Sequence, residues 1–238
     1  MVQQVLKVDE ITAHPVAQYY HFVRTQIAPL LPKRPKKILE VGCASGATLR
    51  WLKSLFPDAE TTGVELNSAL LPELRQNADI AIIGTIEDCI PKLDHYDLIL
   101  ALDVLEHLVD SLGTLRRLCD NLERPNGRVI VSLPNVAHLS VSAPLLFRRR
   151  FEYQDAGILD RTHMRFFTEA SAIELLNKAG LIVTSGVIAG LQGPKSKLID
   201  RLSFGLLRHH LAKQYIMCGC PITAELNSQP QVRWGIAS

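Results

Sequence analysis

Long apolar runs and a strong excess of charge are both missing from this 238-residue chain. The longest mainly apolar stretch, residues 180–191, contains Thr184 and Ser185 and is too short to span a bilayer. Residues 1–20 lack the continuous apolar core of a signal peptide. A formal net charge of +2 indicates no strong attraction to nucleic acid or to an anionic membrane. We therefore expect a cytoplasmic protein with no membrane span and no nucleic-acid partner.

Cysteine patterns typical of metal and redox sites are also missing. The five cysteines are an odd number, and none belongs to a C-x-x-C pair. Cys218 and Cys220 are too close together for an ordinary zinc site, and the aspartates and histidines are scattered along the chain. The sequence therefore predicts reduced thiols and no metal site.

A strand, a glycine-containing loop and a helix are predicted over residues 36–50. A short apolar run interrupted by one acid, Glu40, leads into a loop that is bracketed by Gly42 and Gly46. Glycines allow a sharp turn and a close approach of a ligand to the positive end of the following helix. A nicotinamide dinucleotide site favours G-x-G-x-x-G, whereas Ala44 occupies the middle position here. Glu40 instead suits a ligand that carries positive charge.

Polar residues end two further predicted strands. Glu65 ends the strand predicted over residues 60–65 and lies 23 positions after Gly42, close to the spacing of a ribose-binding acid. A near-continuous apolar strand, residues 96–102, is followed by the segment 103–107, which contains two acids and a histidine. In a doubly wound sheet the carboxyl ends of such strands open into the ligand crevice.

These motifs resemble those of class I S-adenosylmethionine-dependent methyltransferases of the broad ubiquinone-methyltransferase-like group. The resemblance rests on Glu-x-Gly-x-x-x-Gly at 40–46, on Glu65 and on Leu-Asp-Val-Leu-Glu-His-Leu at 102–108, and residues 151–168 resemble the bacterial members. It covers residues 19–221. It implies an α/β fold with a Rossmann-like, doubly wound sheet of seven strands and helices on both faces. The last strand would be antiparallel and inserted between strands five and six.

The resemblance also implies S-adenosyl-L-methionine as cofactor and S-adenosyl-L-homocysteine as product. An acid often stands at the position of Thr85 and contacts the adenine, so that contact passes here to Glu87, to Asp88 or to main chain. Ala44 fits the loop where the backbone φ is negative. The implied cofactor contacts are Glu40, Gly42, Cys43, Ala44, Gly46, Glu65, Leu66, Ile86, Glu87, Asp103 and Val104.

The N-terminal region is predicted to cover the sheet. We expect one methyltransferase domain over residues 1–238, with residues 1–35 as a helical cover and a helix near 15–31. Tyr20 and Arg24 lie one helical turn apart. They either cover the sheet edge or contact the methionine end of the cofactor, since an aromatic face attracts a sulfonium.

Two insertions are expected to form a cap on the acceptor side, residues 137–167 and 192–212. We interpret His107 and His163 as the candidate catalytic residues, because an unperturbed histidine titrates near neutral pH and can take a proton from the acceptor. The alternative for His163 is a structural role, bound to Asp160 or to main chain.

The predicted reaction is methyl transfer to a small-molecule acceptor by in-line displacement, in which positioning supplies most of the catalysis. The acceptor would be a sugar, a phenol or quinone-like compound, or a lipid-linked intermediate. The enzyme would be a monomer or a homodimer. Two alternatives stay open on sequence alone, a NAD-dependent oxidoreductase and a non-catalytic cofactor-binding protein of the same fold.

Overall fold

The computed structural model describes residues 21–191, 193–222 and 229–237. Within these residues there are eight strands and eight α-helices, and a helix follows each strand from β1 to β5, as expected of a doubly wound fold. The strands are β1 (Lys37–Val41), β2 (Glu60–Glu65), β3 (Ile80–Ile83), β4 (Leu98–Leu102), β5 (Arg128–Pro134), β6 (Leu181–Ala189), β7 (Gln214–Pro221) and β8 (Arg233–Ile236). The helices are α1 (Ala47–Leu55), α2 (Leu71–Asn77), α3 (Ile86–Cys89), α4 (Ser111–Asp120), α5 (Leu139–Arg148), α6 (Glu169–Lys178), α7 (Pro194–Leu202) and α8 (Arg208–Leu211).

The strands form one sheet in the order β3-β2-β1-β4-β5-β7-β6-β8. The first five strands in this order are parallel, and β7 is antiparallel to both of its neighbours, β5 and β6. The doubly wound fold and the inserted antiparallel strand are therefore confirmed. The number of strands was wrong, because β8 adds an eighth strand that pairs in parallel with β6.

Apolar residues cover both faces of the central strands. All five residues of β4 are buried, as the near-continuous apolar run predicts. One face of the sheet packs against α4 and α6 through Leu115, Leu118 and Leu176. The other face packs against α1 and α2 through residues such as Leu49 and Leu74. The reversal of strand order between β1 and β4 leaves a crevice at their carboxyl ends.

The prediction of a helix near residues 15–31 is wrong for the part of that range that the structure describes. A short 3₁₀ helix occupies Thr25–Leu30, with Pro29 inside it and with Ile27 and Leu30 buried against the sheet. Proline has no N–H to continue an α-helical ladder, which accounts for the tighter and shorter element. Residues 1–20, and with them Tyr20, lie outside the described residues.

Both predicted insertions contain α-helices. The first begins with α5 and then continues without regular structure to the N-cap of α6, Thr168. The second contains α7 and α8. Among the residues described, no helix has the length and apolar character needed to cross a membrane. The five cysteines are free thiols, and all are buried.

Candidate functional site

The loop between β1 and α1 has a backbone that favours glycine at three positions. Gly42, Ala44 and Gly46 have φ values of +65°, +50° and +78°. The expectation of a negative φ at Ala44 was therefore wrong, and this alanine adopts the left-handed conformation at a cost of about 1 kcal/mol. A Cβ at Gly42 would lie 2.4 Å from Cγ2 of Val104. Packing against Val104, as well as φ, thus requires glycine at position 42.

Glu65 holds this loop to the end of β2. One carboxylate oxygen of Glu65 accepts a hydrogen bond of 2.8 Å from the Ala44 N–H, and the other accepts one of 2.9 Å from the Asn67 N–H. Each oxygen has a second lone pair that can accept from a ligand hydroxyl. The residue predicted to bind ribose therefore lies in the crevice and also fixes the loop.

Glu40 is a buried acid beside the same loop. Its side chain is 4% exposed, and Oε2 has no hydrogen-bond partner within the described part of the chain. Burial raises the pKa of Glu40 to about 8, an effect that Glu65 strengthens and that the Arg24 guanidinium and the Thr48 hydroxyl oppose. A buried carboxyl with a free acceptor atom is suited to a cationic or hydrogen-bond-donating ligand.

Asp103 ends β4 at a φ of +57° and is the centre of a polar network. Its Oδ2 lies 2.6 Å from Nη2 of Arg24, and its Oδ1 accepts a hydrogen bond of 2.7 Å from the Ser132 hydroxyl. The Gln214 amide donates to the same Oδ1. The structure thus brings Arg24 to the crevice through Asp103.

Sequence reasoning missed three members of this network. Ser132 and Gln214 come from β5 and β7, and Thr48, at the start of α1, accepts a hydrogen bond of 3.3 Å from the Arg24 N–H. Gln214 reaches Asp103 from 111 positions away because β7 is inserted beside β5. No local pattern in the sequence marks such a contact.

The remaining residues predicted to contact the cofactor differ in how far their side chains are exposed to solvent. The Leu66 side chain is 66% exposed at the carboxyl end of β2, where an apolar group can flank a bound ring. Cys43 and Ile86 are buried, so their side chains belong to the core. Glu87 Oε1 lies 3.4 Å from the Thr114 hydroxyl of α4, a contact that turns its carboxylate toward this helix.

Thr85 caps α3, and its hydroxyl donates to Asp88 at 2.7 Å. Thr85, at the position where the resemblance implies an adenine-binding acid, therefore has a structural role in this chain. Asp88 and the main chain of residues 84–86 stay candidates for the adenine contact.

His107 and His163 form a pair of neighbouring rings. The contact joins distant parts of the chain, since His107 also binds Thr162, which lies 55 positions further along. The two imidazole rings lie 4.8 Å apart, at 71° to each other. His107 Nδ1 lies 3.3 Å from the Thr162 carbonyl oxygen, and His163 Nδ1 lies 3.0 Å from that of Ile158. Burial, and next the neighbouring His163, lower the pKa of His107, which favours the neutral imidazole.

Main-chain hydrogen bonds bring the two histidines together. The Met164 and Arg165 N–H groups donate to the Glu106 carbonyl oxygen at 2.8 and 3.0 Å, and the Arg165 guanidinium donates to the Val109 carbonyl at 2.6 Å. The first insertion is thereby fixed to the turn that follows β4. The His163 main-chain N–H donates to the Asp160 carbonyl oxygen at 3.0 Å, whereas the Asp160 carboxylate accepts from the Thr162 N–H at 2.8 Å.

An aromatic surface adjoins the histidine pair. Phe151, Tyr153 and Phe166 form a triangle of rings, with centroid separations of 5.6 to 6.1 Å, and Phe166 lies 6.3 Å from His163. Phe151 and Tyr153 are 38% and 48% exposed. Exposed aromatic rings beside polar groups provide a face on which a flat or ring-shaped ligand can stack.

A cavity of about 530 Å³ lies beside α1 and reaches Ser45 of the glycine loop. Val23, Arg50, Trp51 and Asn77 are among its lining residues, whereas the crevice acids and the histidine pair are not. We assign the candidate site to the crevice, because the predicted polar side chains converge there.

Comparison with known proteins finds similarity to methyltransferases. A family model described as "Methyltransferase domain" matches residues 16–185. Methyltransferase str2 of Strobilurus tenacellus is 31% identical over 110 residues, covering 46% of this chain and 40% of the relative. A ubiquinone biosynthesis O-methyltransferase of Bradyrhizobium diazoefficiens is 29% identical over 105 residues, covering 42% of this chain and 40% of the relative. The chain thus spans less than half the length of these two relatives.

A solved structure shows the same fold. The crystal structure of a SAM-dependent methyltransferase from Archaeoglobus fulgidus superposes with a TM-score of 0.61 at 14% identity, covering 83% of this chain and 91% of that one. The family match extends over more than half of the 238-residue chain. It includes the glycine loop, Glu65 and the 102–108 motif. The chain belongs to the methyltransferase-domain family, in the class I S-adenosylmethionine-dependent group.

Proposed function

We propose that this protein transfers a methyl group from S-adenosyl-L-methionine to a hydroxyl group of a small-molecule acceptor. The observation that carries the proposal is the position of the His107–His163 pair, next to an acid-lined crevice at the carboxyl edge of the sheet. The crevice supplies a cofactor site, and the pair supplies a group that can accept a proton.

The charges of the crevice suit this cofactor. Glu40, Glu65 and Asp103 provide three carboxyl groups, and Arg24 is paired with that of Asp103 and lies near that of Glu40. The cofactor carries an ammonium and a sulfonium, and it supplies the methyl group when bound. The free Oε2 of Glu40 would accept from the ammonium, and that positive charge would favour the ionised carboxylate. Glu65 would accept from the ribose hydroxyls.

The same charges argue against a nicotinamide dinucleotide. A pyrophosphate at the start of α1 would lie beside the buried Glu40 and near Glu65. The Glu65 carboxylate would repel this group, the protonated Glu40 would add no positive charge, and Arg24 is already paired with Asp103 at 2.6 Å. Methyl transfer is therefore the function that the geometry supports best.

The insertion would position the acceptor. Phe151, Tyr153 and Phe166 would stack against a ring of the acceptor, while one of the two histidines faces its hydroxyl. Backbone carbonyls accept from the Nδ1 atom of both rings, which leaves Nε2 of the neutral imidazole as proton acceptor. Holding the hydroxyl in line with the methyl carbon would supply most of the rate enhancement.

A His163→Ala variant tests the catalytic part of the proposal. Formation of S-adenosylhomocysteine would be followed over a panel of hydroxylated sugars and phenols, with S-adenosylhomocysteine affinity measured by calorimetry. We expect kcat/KM for an accepted substrate to fall by about 10²–10⁴-fold, the usual contribution of a general base, at unchanged cofactor affinity.

His95→Ala is the matched control, because His95 is exposed and lies near Asp94, at the amino end of β4. Unchanged turnover in His163→Ala, at normal cofactor affinity, would contradict the assignment of the pair.

A further inference from the structure

We propose that Glu106, His107 and His163 form a binding site for a divalent transition-metal ion, with Zn²⁺ as the ion whose ligand preference they match best. One potential ligand atom from each residue lies within 4.8 Å of the other two. Two imidazoles and one carboxylate are a ligand set of catalytic zinc sites, which leave a further position open. The inference deepens the proposed function, since it concerns the same acceptor side of the crevice.

The histidines are oriented as metal ligands usually are. A metal-bound imidazole commonly donates its other N–H to a carboxylate or a backbone carbonyl, which fixes both the tautomer and the ring. The Thr162 carbonyl oxygen stands 3.3 Å from Nδ1 of His107, and the Ile158 carbonyl oxygen stands 3.0 Å from Nδ1 of His163. Because a carbonyl only accepts, both Nδ1 atoms carry hydrogen and both Nε2 lone pairs are available.

Glu106 supplies an independent observation. Its side chain is 1% exposed, and Oε2 is buried with no hydrogen-bond partner within the described residues. An unpaired buried carboxyl oxygen is costly, and proteins usually satisfy such an atom with a donor, a water or a metal ion. An ion between Oε2 and the two imidazoles would satisfy it.

The geometry requires a small adjustment. Zinc–ligand bonds of about 2.1 Å place tetrahedral ligands roughly 3.4 Å apart, so an ion would shorten the separations between the three ligand atoms, which are at most 4.8 Å, by up to about 1.4 Å. The backbone around them is already fixed, since Met164 and Arg165 both donate to the Glu106 carbonyl. Side-chain rotation can supply this change.

A bound ion would change how the acceptor loses its proton. With both Nε2 atoms on the metal, the acceptor hydroxyl would occupy the open position, where a divalent ion lowers the pKa of a bound oxygen. The ion would thus take over the role that a free imidazole has in the metal-free protein.

The test is a zinc titration of the chelator-treated full chain, with a chromophoric chelator as competitor. We expect one Zn²⁺ to bind per chain, and the affinity to fall at least 10-fold in Glu106→Gln and in His163→Ala. His95→Ala should bind as the unaltered protein does. The buried thiols are unchanged in all variants, so a loss in these two variants assigns the ion to the cluster.

The absorption spectrum of the Co²⁺ form gives a second readout, since nitrogen and oxygen ligands lack the intense thiolate bands. Equal zinc affinity in the unaltered protein and in both cluster variants, or a thiolate spectrum, would overturn the proposal. Binding of S-adenosylhomocysteine is measured on the same samples. If the unaltered protein does not bind S-adenosylhomocysteine, that result counts against the proposed function. If it binds S-adenosylhomocysteine but no zinc, that result counts only against the metal site.

Discussion

Glu40 combines a structural cost with a role in ligand binding. Its carboxyl is buried, and its pKa is raised to about 8, mainly by desolvation. Between the unfolded value near 4.5 and this folded value, the native chain keeps a proton that the unfolded chain releases. Rising pH in this window therefore favours unfolding, by up to about 4 kcal/mol at pH 8.

Glu40→Gln tests this directly. The amide cannot ionise, so we expect the ligand-free variant to lose less stability than the unaltered protein as the pH rises from 5 to 8. Thermal unfolding across this range is the measurement, and the difference in melting temperature should shrink toward pH 5.

The same Glu40→Gln change should weaken binding of S-adenosylmethionine about 10-fold or more, because a charge-assisted hydrogen bond is lost. Parallel pH dependence of the two proteins would contradict the burial argument. Unchanged affinity would contradict the role proposed for Oε2.

At single residues, chemistry was predictable where one side chain decides it. Glu40 stood out as an acid inside a strand two residues before Gly42, which is unusual for a pyrophosphate site, and Glu65 as an acid 23 positions after Gly42. The three-residue cluster at Glu106 was not predictable, since His163 reaches it only through main-chain hydrogen bonds between distant segments. Ala44 was misread because its positive φ follows from tertiary hydrogen bonding to Glu65.

Among the elements, the position of the first insertion depends on two main-chain N–H groups, those of Met164 and Arg165. Met164 is 55% exposed, so its side chain contributes little, whereas its N–H donates to the Glu106 carbonyl at 2.8 Å. Met164→Pro removes that donor, and Met164→Ala keeps it.

We expect Met164→Pro to reduce kcat/KM for the acceptor by 10-fold or more and to leave S-adenosylhomocysteine affinity within 2-fold, because the fixed insertion positions His163. Steady-state kinetics and calorimetry give the two numbers. If Met164→Ala shows the same loss, the side chain and not the hydrogen bond would be responsible.

Strands and caps followed from sequence more readily than the insertions did. A buried parallel strand such as β4 needs continuous apolar residues, and Thr168 marks the start of α6 through a side-chain cap. The sequence of residues 149–167 has neither hydrophobic periodicity nor helix-capping residues. The structure of this segment depends on contacts with the turn after β4, which the sequence does not reveal. Helix α5, with Pro144 inside it, likewise has no clear helical signal.

Across the whole molecule, β8 stabilises the edge of the sheet remote from the crevice. The Trp234 indole N–H donates to Glu169 at 2.9 Å, and its ring lies 5.1 Å from that of Tyr215. A Cβ at Gly186 would lie 2.3 Å from the Trp234 ring, so this glycine makes room for it. The strand lies C-terminal to residue 185, where the family match ends, and pairs in parallel with β6.

Trp234→Ala should therefore destabilise the fold by about 2 kcal/mol, because the ring is half-buried and its hydrogen bond is lost. Chemical denaturation measures this value. Binding of S-adenosylhomocysteine should stay the same. A large loss of affinity would show that this edge and the crevice are coupled.

The central claim is that the crevice binds S-adenosylmethionine. The most direct measurement is calorimetry with S-adenosylmethionine and S-adenosylhomocysteine, with NADH for comparison. Glu65→Ala is the test variant, and Glu60→Ala, at the exposed start of the same strand, is its control. We predict micromolar binding of the two sulfur ligands, retained in Glu60→Ala and lost in Glu65→Ala. Absence of binding by both, or a preference for NADH, would contradict the account.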